Sequence, residues 1–211
     1  MTPAEETVAV FRDAGALIDD DHFVYVSGDH GAGWVAKDLL YPDTSAPERL
    51  ATLLADRVRE IGWRPAYVCG PATGGLVMSQ WVAHALGARS VFTEHDPTVP
   101  GPSAPFVLRR GFDTMVAGAP VLAVDDIVNT GHSLGQTVRA LGACGAEVVG
   151  AATWVTRGNT DAVRLGVPAF TWLAEVDIPS WPAADCDLCR RGVPVNTRYA
   201  HGAEYVTRHT A

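Results

Sequence analysis

Apolar and polar positions in this chain follow two alternating rhythms. APERLATLLADRVREI (46–61), GLVMSQWVAHALG (75–87) and HSLGQTVRALGACG (132–145) repeat their apolar residues at helical spacing. Residues 4–17 do the same, with Val8, Phe11 and Leu17 on one side. Between these lie short runs that are apolar throughout: AYVCG (66–70), SVFTE (90–94), PVLAVDD (120–126), AEVVGAATWVTR (146–157) and PAFTWLAEV (168–176). HFVYVSG (22–28) is a shorter strand stopped by glycine, and PFVLRRGF (105–112) reads as a β-hairpin arm. Strands alternating with helices predict βαβ units, hence an α/β fold with a mainly parallel central sheet flanked by helices. The Pro/Gly-rich stretch 96–105 is a loop inside one pattern, so a single domain over 1–211 is expected. In open sheets of this kind ligands bind at the carboxyl ends of the strands. Two such ends stand out, at 69–75 and 124–133.

Composition narrows the function. The chain has 211 residues, 47% apolar and 19% charged, which excludes a disordered or fibrous protein. A net charge of −8 without a dense basic run argues against nucleic acid or an anionic membrane as partner. No apolar run approaches the ~18–20 residues of a membrane span, and the acidic, amphipathic first 15 residues do not read as a signal peptide. Four cysteines (Cys69, Cys144, Cys186 and Cys189) then fit a reducing cytoplasm. Of 16 basic residues, 15 are arginine. The one lysine, Lys37, asks for a reason.

The most informative segment is VLAVDDIVNTGHS (121–133). A buried strand ends in two acids, Asp125 and Asp126, and Asn129-Thr130-Gly131-His132-Ser133 then opens a helix. Unpaired backbone amides, a glycine and hydroxyls at a helix N-terminus make a phosphate cradle. The acids would repel phosphate, but they suit ribose hydroxyls or a hydrated Mg²⁺ nearby. A ribose 5-phosphate satisfies both halves. An N-capped helix after solvated aspartates is the plainer alternative, and it does not explain two acids directly after a buried strand.

This segment resembles the phosphoribosyl-pyrophosphate (PRPP) motif of type I phosphoribosyltransferases. The similarity extends over most of the chain and is greatest to the orotate branch. It rests on GALIDDDHFVYVSG (15–28), VCGPATGGL (68–76), FVLRRGF (106–112), VTRGN (155–159) and CDLCRRGVPV (186–195). The resemblance implies the type I phosphoribosyltransferase fold with a small hood built from about 1–45 and 168–211. It implies a PRPP- and Mg²⁺-dependent transferase, acting on a small acidic or aromatic base in pyrimidine nucleotide biosynthesis, and a homodimer. Asp125 and Asp126 would hold the ribose hydroxyls and, directly or through water, the Mg²⁺. Asn129 to Ser133 would wrap the 5-phosphate. Ala72, Thr73, Gly74 and Gly75 would turn backbone amides to the pyrophosphate. Arg109 and Arg110 would reach that pyrophosphate, often in a neighbouring subunit, with one of the two expected to serve. Arg157, Lys37, Trp34 and Ser27 would form the base site, with His30 a weaker candidate. Lys37 could equally pair with a structural acid, and Trp34 could simply pack in the core.

Three positions depart from the orotate pattern. Val26 stands where a lysine is common, Thr73-Gly74 where Tyr-Lys is common, and no Lys or His follows Arg110 in a short hood. His132 is also unusual in a phosphate loop. A different heterocyclic base, or a PRPP-sensing regulator without catalysis, therefore stays open at this point. Cys186 and Cys189 have metal-knuckle spacing but supply two of four zinc ligands. His201 or His209, or a second copy's pair, could complete a site; a tight turn with two reduced thiols is the plainer reading.

Overall fold

The computed structural model describes residues 1–101 and 104–209. Pro102 and Ser103 of the 96–105 loop, and the last two residues of the expected 1–211 domain, lie outside it. The helices are α1 (Pro3–Asp13), α2 (Ser45–Ile61), α3 (Gly74–Leu86), α4 (Phe112–Val116), α5 (His132–Ala143), α6 (Ala162–Leu165), α7 (Asp187–Arg190) and α8 (Gly202–His209). The strands are β1 (Leu17–Ile18), β2 (Phe23–Val24), β3 (His30–Gly31), β4 (Trp34–Val35), β5 (Tyr67–Pro71), β6 (Arg89–His95), β7 (Phe106–Val107), β8 (Pro120–Val128), β9 (Glu147–Thr156), β10 (Phe170–Glu175) and β11 (Ser180–Trp181).

Six strands form the central sheet in the order β10-β9-β8-β5-β6-β7. The pairings are parallel except β6 with β7. Consecutive residues of each central strand enter opposite layers, so the strands must be apolar on both sides. Val68, Leu122, Val124 and Trp154 face a layer with Phe11 of α1, Leu50, Leu54 and Val58 of α2, and Met78 and Val82 of α3. Cys69, Ala123 and Ala151 face Val116 of α4 and Leu134, Val138 and Leu141 of α5. The unbroken apolar runs in the sequence are this double burial. α3 stops at Gly87, whose φ of 72° is left-handed and whose amide turns back to the Ala83 and His84 carbonyls.

A second layer lies outside the sheet. β2, β3 and β11 make a three-stranded antiparallel patch, and β1 pairs with β4. These pairings are two residues long, too short for the sequence to announce. HFVYVSG is accordingly a strand at Phe23–Val24 alone. Tyr25 to Gly28 close a hairpin turn, with the Gly28 amide on the Tyr25 carbonyl at 2.9 Å. The expected hairpin arm at 105–112 shrinks to β7, because Arg110 takes a left-handed φ of 62° and α4 follows. β8 runs two residues past its expected end, so Asp125 and Asp126 lie inside the strand rather than at its end. Asp125 pairs in register with Thr153 of β9.

Candidate active site

The strand order reverses between β5 and β8, and the loops that follow both strands open there. Beside them is a cleft of about 800 Å³. Its walls come from the β2–β3 turn (Tyr25, Val26, Ser27), from Trp34 to Leu39, from the ends of β8 and β9 (Ile127, Asn129, Arg157, Asn159), and from Arg198 to His201. All four base-site residues expected from sequence, Ser27, Trp34, Lys37 and Arg157, line it.

Trp34 is half-buried and packs between neighbours while lining the cleft. Its ring centroid is 6.2 Å from Phe23 and 6.3 Å from Tyr25, the latter nearly parallel. Tyr25 is fixed by its hydroxyl, which donates to the Gly33 carbonyl at 2.6 Å. The Arg157 guanidinium lies over the Tyr25 ring at 5.8 Å and donates to the Ile178 carbonyl at 3.0 Å. Its Nε is buried without a hydrogen-bond partner among the described residues. A half-buried cation with a spare donor, beside a flat aromatic face, suits a planar anion. Ser27 is exposed at the hairpin tip, where its Oγ accepts from the Asp29 amide at 3.2 Å.

Lys37 has found a structural acid. Its Nζ lies 3.0 Å from Asp126 Oδ1. Burial works against the ammonium charge, but Asp126 and then Asp125 outweigh it and hold the pKa above the ordinary lysine value. Asp126 also accepts from the Tyr41 hydroxyl and, at 2.8 Å, from the Ile127 amide. Its carboxylate is thus fully enclosed and committed, where the resemblance implied that it holds ribose hydroxyls and Mg²⁺ alongside Asp125. Burial, then the Asp126 carboxylate, pushes Tyr41 above the ordinary tyrosine pKa. Asp125 is the more available of the two. Its Oδ1 accepts from the Asp126 amide at 3.1 Å, and its other oxygen has no partner among the described residues. Burial, and next the Asp126 charge, raise its pKa well above the usual carboxylate range.

The glycine loop sits against this pair. Thr73 is the N-cap of α3 without a side-chain cap bond, and Gly74 and Gly75 open the helix, so their amides have no intrahelical acceptor. A Cβ on Gly74 would collide with the Asp126 carboxylate and lie 2.7 Å from Lys37 Nζ. Gly74 is therefore needed for close packing whatever binds here. Ala72 departs from expectation: its amide is spent on the Thr93 carbonyl at 2.7 Å. On the β8 side, Gly131 caps α5 with φ 75°, again without a side-chain cap bond. A Cβ there would meet Leu165 and Thr160 at 2.8 Å. Asn129, Thr130 and His132 are exposed and Ser133 is half-buried. Asn129 is held by Asn159 at 2.6 Å, and His132 by Gln136 at 2.7 Å.

Arg109 and Arg110 stand apart. Neither lines the cleft; both turn to Glu94, at 3.8 and 3.0 Å. Arg110 also covers the Phe92 ring at 5.8 Å.

Residues 44–177 match the phosphoribosyl transferase domain family. The orotate phosphoribosyltransferase of Methylobacterium sp. (strain 4-46) is 40% identical over 87% of this chain and 88% of that protein. That of Heliobacterium modesticaldum is 34% identical over 90% and 94%. The chain belongs to the phosphoribosyltransferase family. Among solved structures, orotate phosphoribosyltransferase of Aeropyrum pernix superposes with a TM-score of 0.65 at 24% identity, over 80% of this chain and 92% of that one. Adenine phosphoribosyl transferase of Trypanosoma brucei gives 0.58 at 14%, over 78% of each. The fold is thus shared by enzymes for different bases, and the cleft walls must make the choice.

Sequence reasoning missed several residues of this phosphoribosyltransferase site. Tyr41 had a signal, since it stands four residues after Lys37 on the same short segment. Tyr25 and Asn159 lay inside the 15–28 and 155–159 motifs without being singled out, and Arg198 to His201 had no signal, because they lie outside every motif. Glu94 was unmarked as the acid that holds both arginines. His30, weighed for the base site, does not line the cleft and turns instead to the cysteine pair. His201 and His209, the partners considered for that pair, bind Glu204 and the Tyr205 carbonyl.

Proposed function

We propose that this protein transfers ribose 5-phosphate from PRPP to orotate, releasing pyrophosphate and forming orotidine 5-phosphate. The carrying observation is the half-buried Arg157 in the cleft, with an unpartnered Nε beside the Tyr25–Trp34 aromatic wall. An acidic flat ring needs a cation and a stacking face, and a purine needs no such cation. The identity to orotate phosphoribosyltransferases over most of the chain supports the same choice.

In this reading the 5-phosphate lies on the amides of 129–133 at the head of α5, and the pyrophosphate on those of Thr73 to Gly75. Asp125 accepts from the ribose hydroxyls. Asp126 acts from behind, fixing Lys37 and Tyr41. The C1–oxygen bond to pyrophosphate breaks and takes its electron pair with it. A C1–nitrogen bond to orotate forms, with inversion, and the ring nitrogen's proton leaves to solvent. The chain's contribution is position and charge, as no nucleophilic side chain is required.

Mg²⁺ fits the donor set modestly: one open Asp125 oxygen, with the Asp126 oxygens already taken. The ion would rest mainly on ligand oxygens and water. When bound it neutralises charge on the departing pyrophosphate. Arg109 and Arg110 are both turned from their own cleft, and one of the two would serve a second copy in a homodimer. The whole chain acts as one domain, in the cytoplasm, with PRPP and the base as partners and no nucleic acid. No helix among the described residues is long and apolar enough to cross a membrane.

The test is turnover of PRPP, Mg²⁺ and orotate, followed by orotate absorbance and pyrophosphate release. Arg157→Ala removes one charged hydrogen bond, about 1.5–3 kcal/mol. The orotate KM is expected to rise about 10- to 150-fold, with PRPP affinity nearly unchanged. Turnover of another base but not orotate, or an unaltered orotate KM in the variant, would refute the assignment.

A further inference from the structure

Four potential metal ligands converge outside the cleft. His22 lies just before β2 and His30 on β3; Cys186 and Cys189 flank the first turn of α7. One ligand atom from each lies within 4.8 Å of all the others. His22, His30 and Cys186 are buried, and Cys189 closes the group from outside. His22 Nε2 lies 2.8 Å from His30 Nδ1, 3.5 Å from Cys186 Sγ and 3.7 Å from Cys189 Sγ. Cys189 Sγ lies 3.3 Å from His30 Nδ1.

These separations can be set against tetrahedral zinc. With Zn–S near 2.3 Å and Zn–N near 2.0–2.1 Å, the sulfur–nitrogen edges of the tetrahedron are about 3.5 Å and the nitrogen–nitrogen edge about 3.3 Å. The three sulfur–nitrogen distances bracket the first value. The two rings need to part by only about half an ångström to meet the second.

The surroundings orient the donors. His22 Nδ1 lies 2.8 Å from the Val193 carbonyl, which can only accept. The ring's proton therefore sits on Nδ1, and the Nε2 lone pair points into the group, as a carbonyl behind a ligating histidine arranges. The Cys189 amide donates to Cys186 Sγ at 3.3 Å, a bond that favours the thiolate. Both cysteines are free rather than paired as a disulfide. Two thiolates and two neutral imidazoles balance a divalent cation, so the filled site adds no net charge to a buried place. Two sulfurs and two nitrogens in a tetrahedron select zinc among common divalent ions.

We propose that His22, His30, Cys186 and Cys189 form a closed, structural Zn²⁺ site that clips the C-terminal segment to the β2–β3 hairpin. With four protein ligands it has no open position for chemistry. Its role follows from what it joins. Tyr25, Val26 and Ser27 lie between the two histidines, and Arg198 to His201 follow the cysteines; both groups wall the cleft. The backbone is stitched alongside, with the Asn196 amide on the His22 carbonyl at 2.7 Å and the His201 amide on the Val24 carbonyl at 2.9 Å. The ion thus holds the base side of the cleft, while Asp125 and the Thr73–Gly75 loop hang from the central sheet.

The test uses the full chain without an affinity tag, purified under reducing conditions. Elemental analysis is expected to find about one zinc per chain. Cobalt exchanged into the site should give the sulfur-to-metal charge-transfer band and the intense visible bands of tetrahedral Co²⁺. Cys189→Ser, at the exposed ligand, is expected to fold, keep its circular dichroism, and lose most of the zinc and the charge-transfer intensity. Cys186→Ser and His22→Ala should do the same where they remain folded. Wild-type protein that neither carries zinc nor takes up Zn²⁺ or Co²⁺ would overturn the site. So would undiminished metal in Cys189→Ser, or a Cys186–Cys189 disulfide in freshly purified protein. A separate arm rests on the proposed function: protein stripped of zinc by a chelator and assayed with Mg²⁺ restored in excess should show a KM for orotate raised more than that for PRPP. The metal readouts stand whichever base is used.

Discussion

Asp125→Asn is expected to stabilise the protein and Asp126→Asn to weaken it, although the two residues are adjacent and the exchange is the same. Asp125 is buried beside another carboxylate and is driven well above its usual pKa, so its charge is a burden on the folded state. An amide of the same shape removes that burden, a gain of about 0.5–2 kcal/mol. The sign can be followed with pH. Below about pH 3.9 the acid is neutral folded or unfolded, and wild type and variant should differ little. As pH rises past that value the unfolded chain ionises first, wild type falls behind, and the gap levels off once Asp125 ionises in the fold. Asp126 has the opposite role. Asparagine keeps an oxygen for the Tyr41 hydroxyl, which also reaches the Gly74 carbonyl at 3.3 Å, but it takes away the charge that pairs the Lys37 ammonium. Breaking a buried pair costs about 3–5 kcal/mol, but Lys37 keeps 38% of its side chain in water. About 1–2 kcal/mol is the discounted expectation. Urea denaturation at neutral pH reads both, and shifts of the same sign would contradict this division of roles. Turnover should fall in both variants. For Asp125→Asn, losing charged hydrogen bonds of about 1.5–3 kcal/mol lowers kcat/KM about 10- to 150-fold.

Trp154→Ala should be the most damaging core exchange. Trp154 is fully buried on β9, in the layer under α1, α2 and α3. Truncating a buried tryptophan costs about 3–5 kcal/mol, a large part of the roughly 5–15 kcal/mol that holds a domain together. For a chain of this size that is a fall of roughly 6–20 °C in Tm. Trp154→Phe separates two contributions. The indole Nε1 is buried with no partner among the described residues, so phenylalanine loses volume but also removes an unsatisfied donor costing about 1–3 kcal/mol. The phenylalanine variant should therefore lie much nearer wild type. Equal losses in the two variants, by thermal melting, would show that volume alone matters at this position.

What the sequence made legible follows from how each feature is held. The central strands were readable because burial on both faces demands continuous apolar runs, as at Val121 to Val124. The loops at Thr73–Gly75 and Asn129–Ser133 were readable because a helix opening and its glycines are local. The end of β8 was misjudged, since acids inside a strand look like acids at its end until Lys37 and Tyr41 arrive from far along the chain. Ala72 could not be known to have spent its amide on Thr93, because that pairing belongs to the sheet. The cysteine pair was visible by spacing; its histidine neighbours were not, because more than 150 residues separate His22 from Cys186.

Lys37 gives the protein an unusual chemical simplicity. Apart from the α-amino group, it is the chain's one amine. In the folded state it is held as an ammonium against Asp126, and acylating reagents attack the neutral amine. An activated ester near neutral pH therefore labels the folded protein at a single defined position, the start of α1's lead-in. Slow acquisition of a second label then times the opening of the Lys37–Asp126 contact. The arginine-only surface leaves that clock uncluttered.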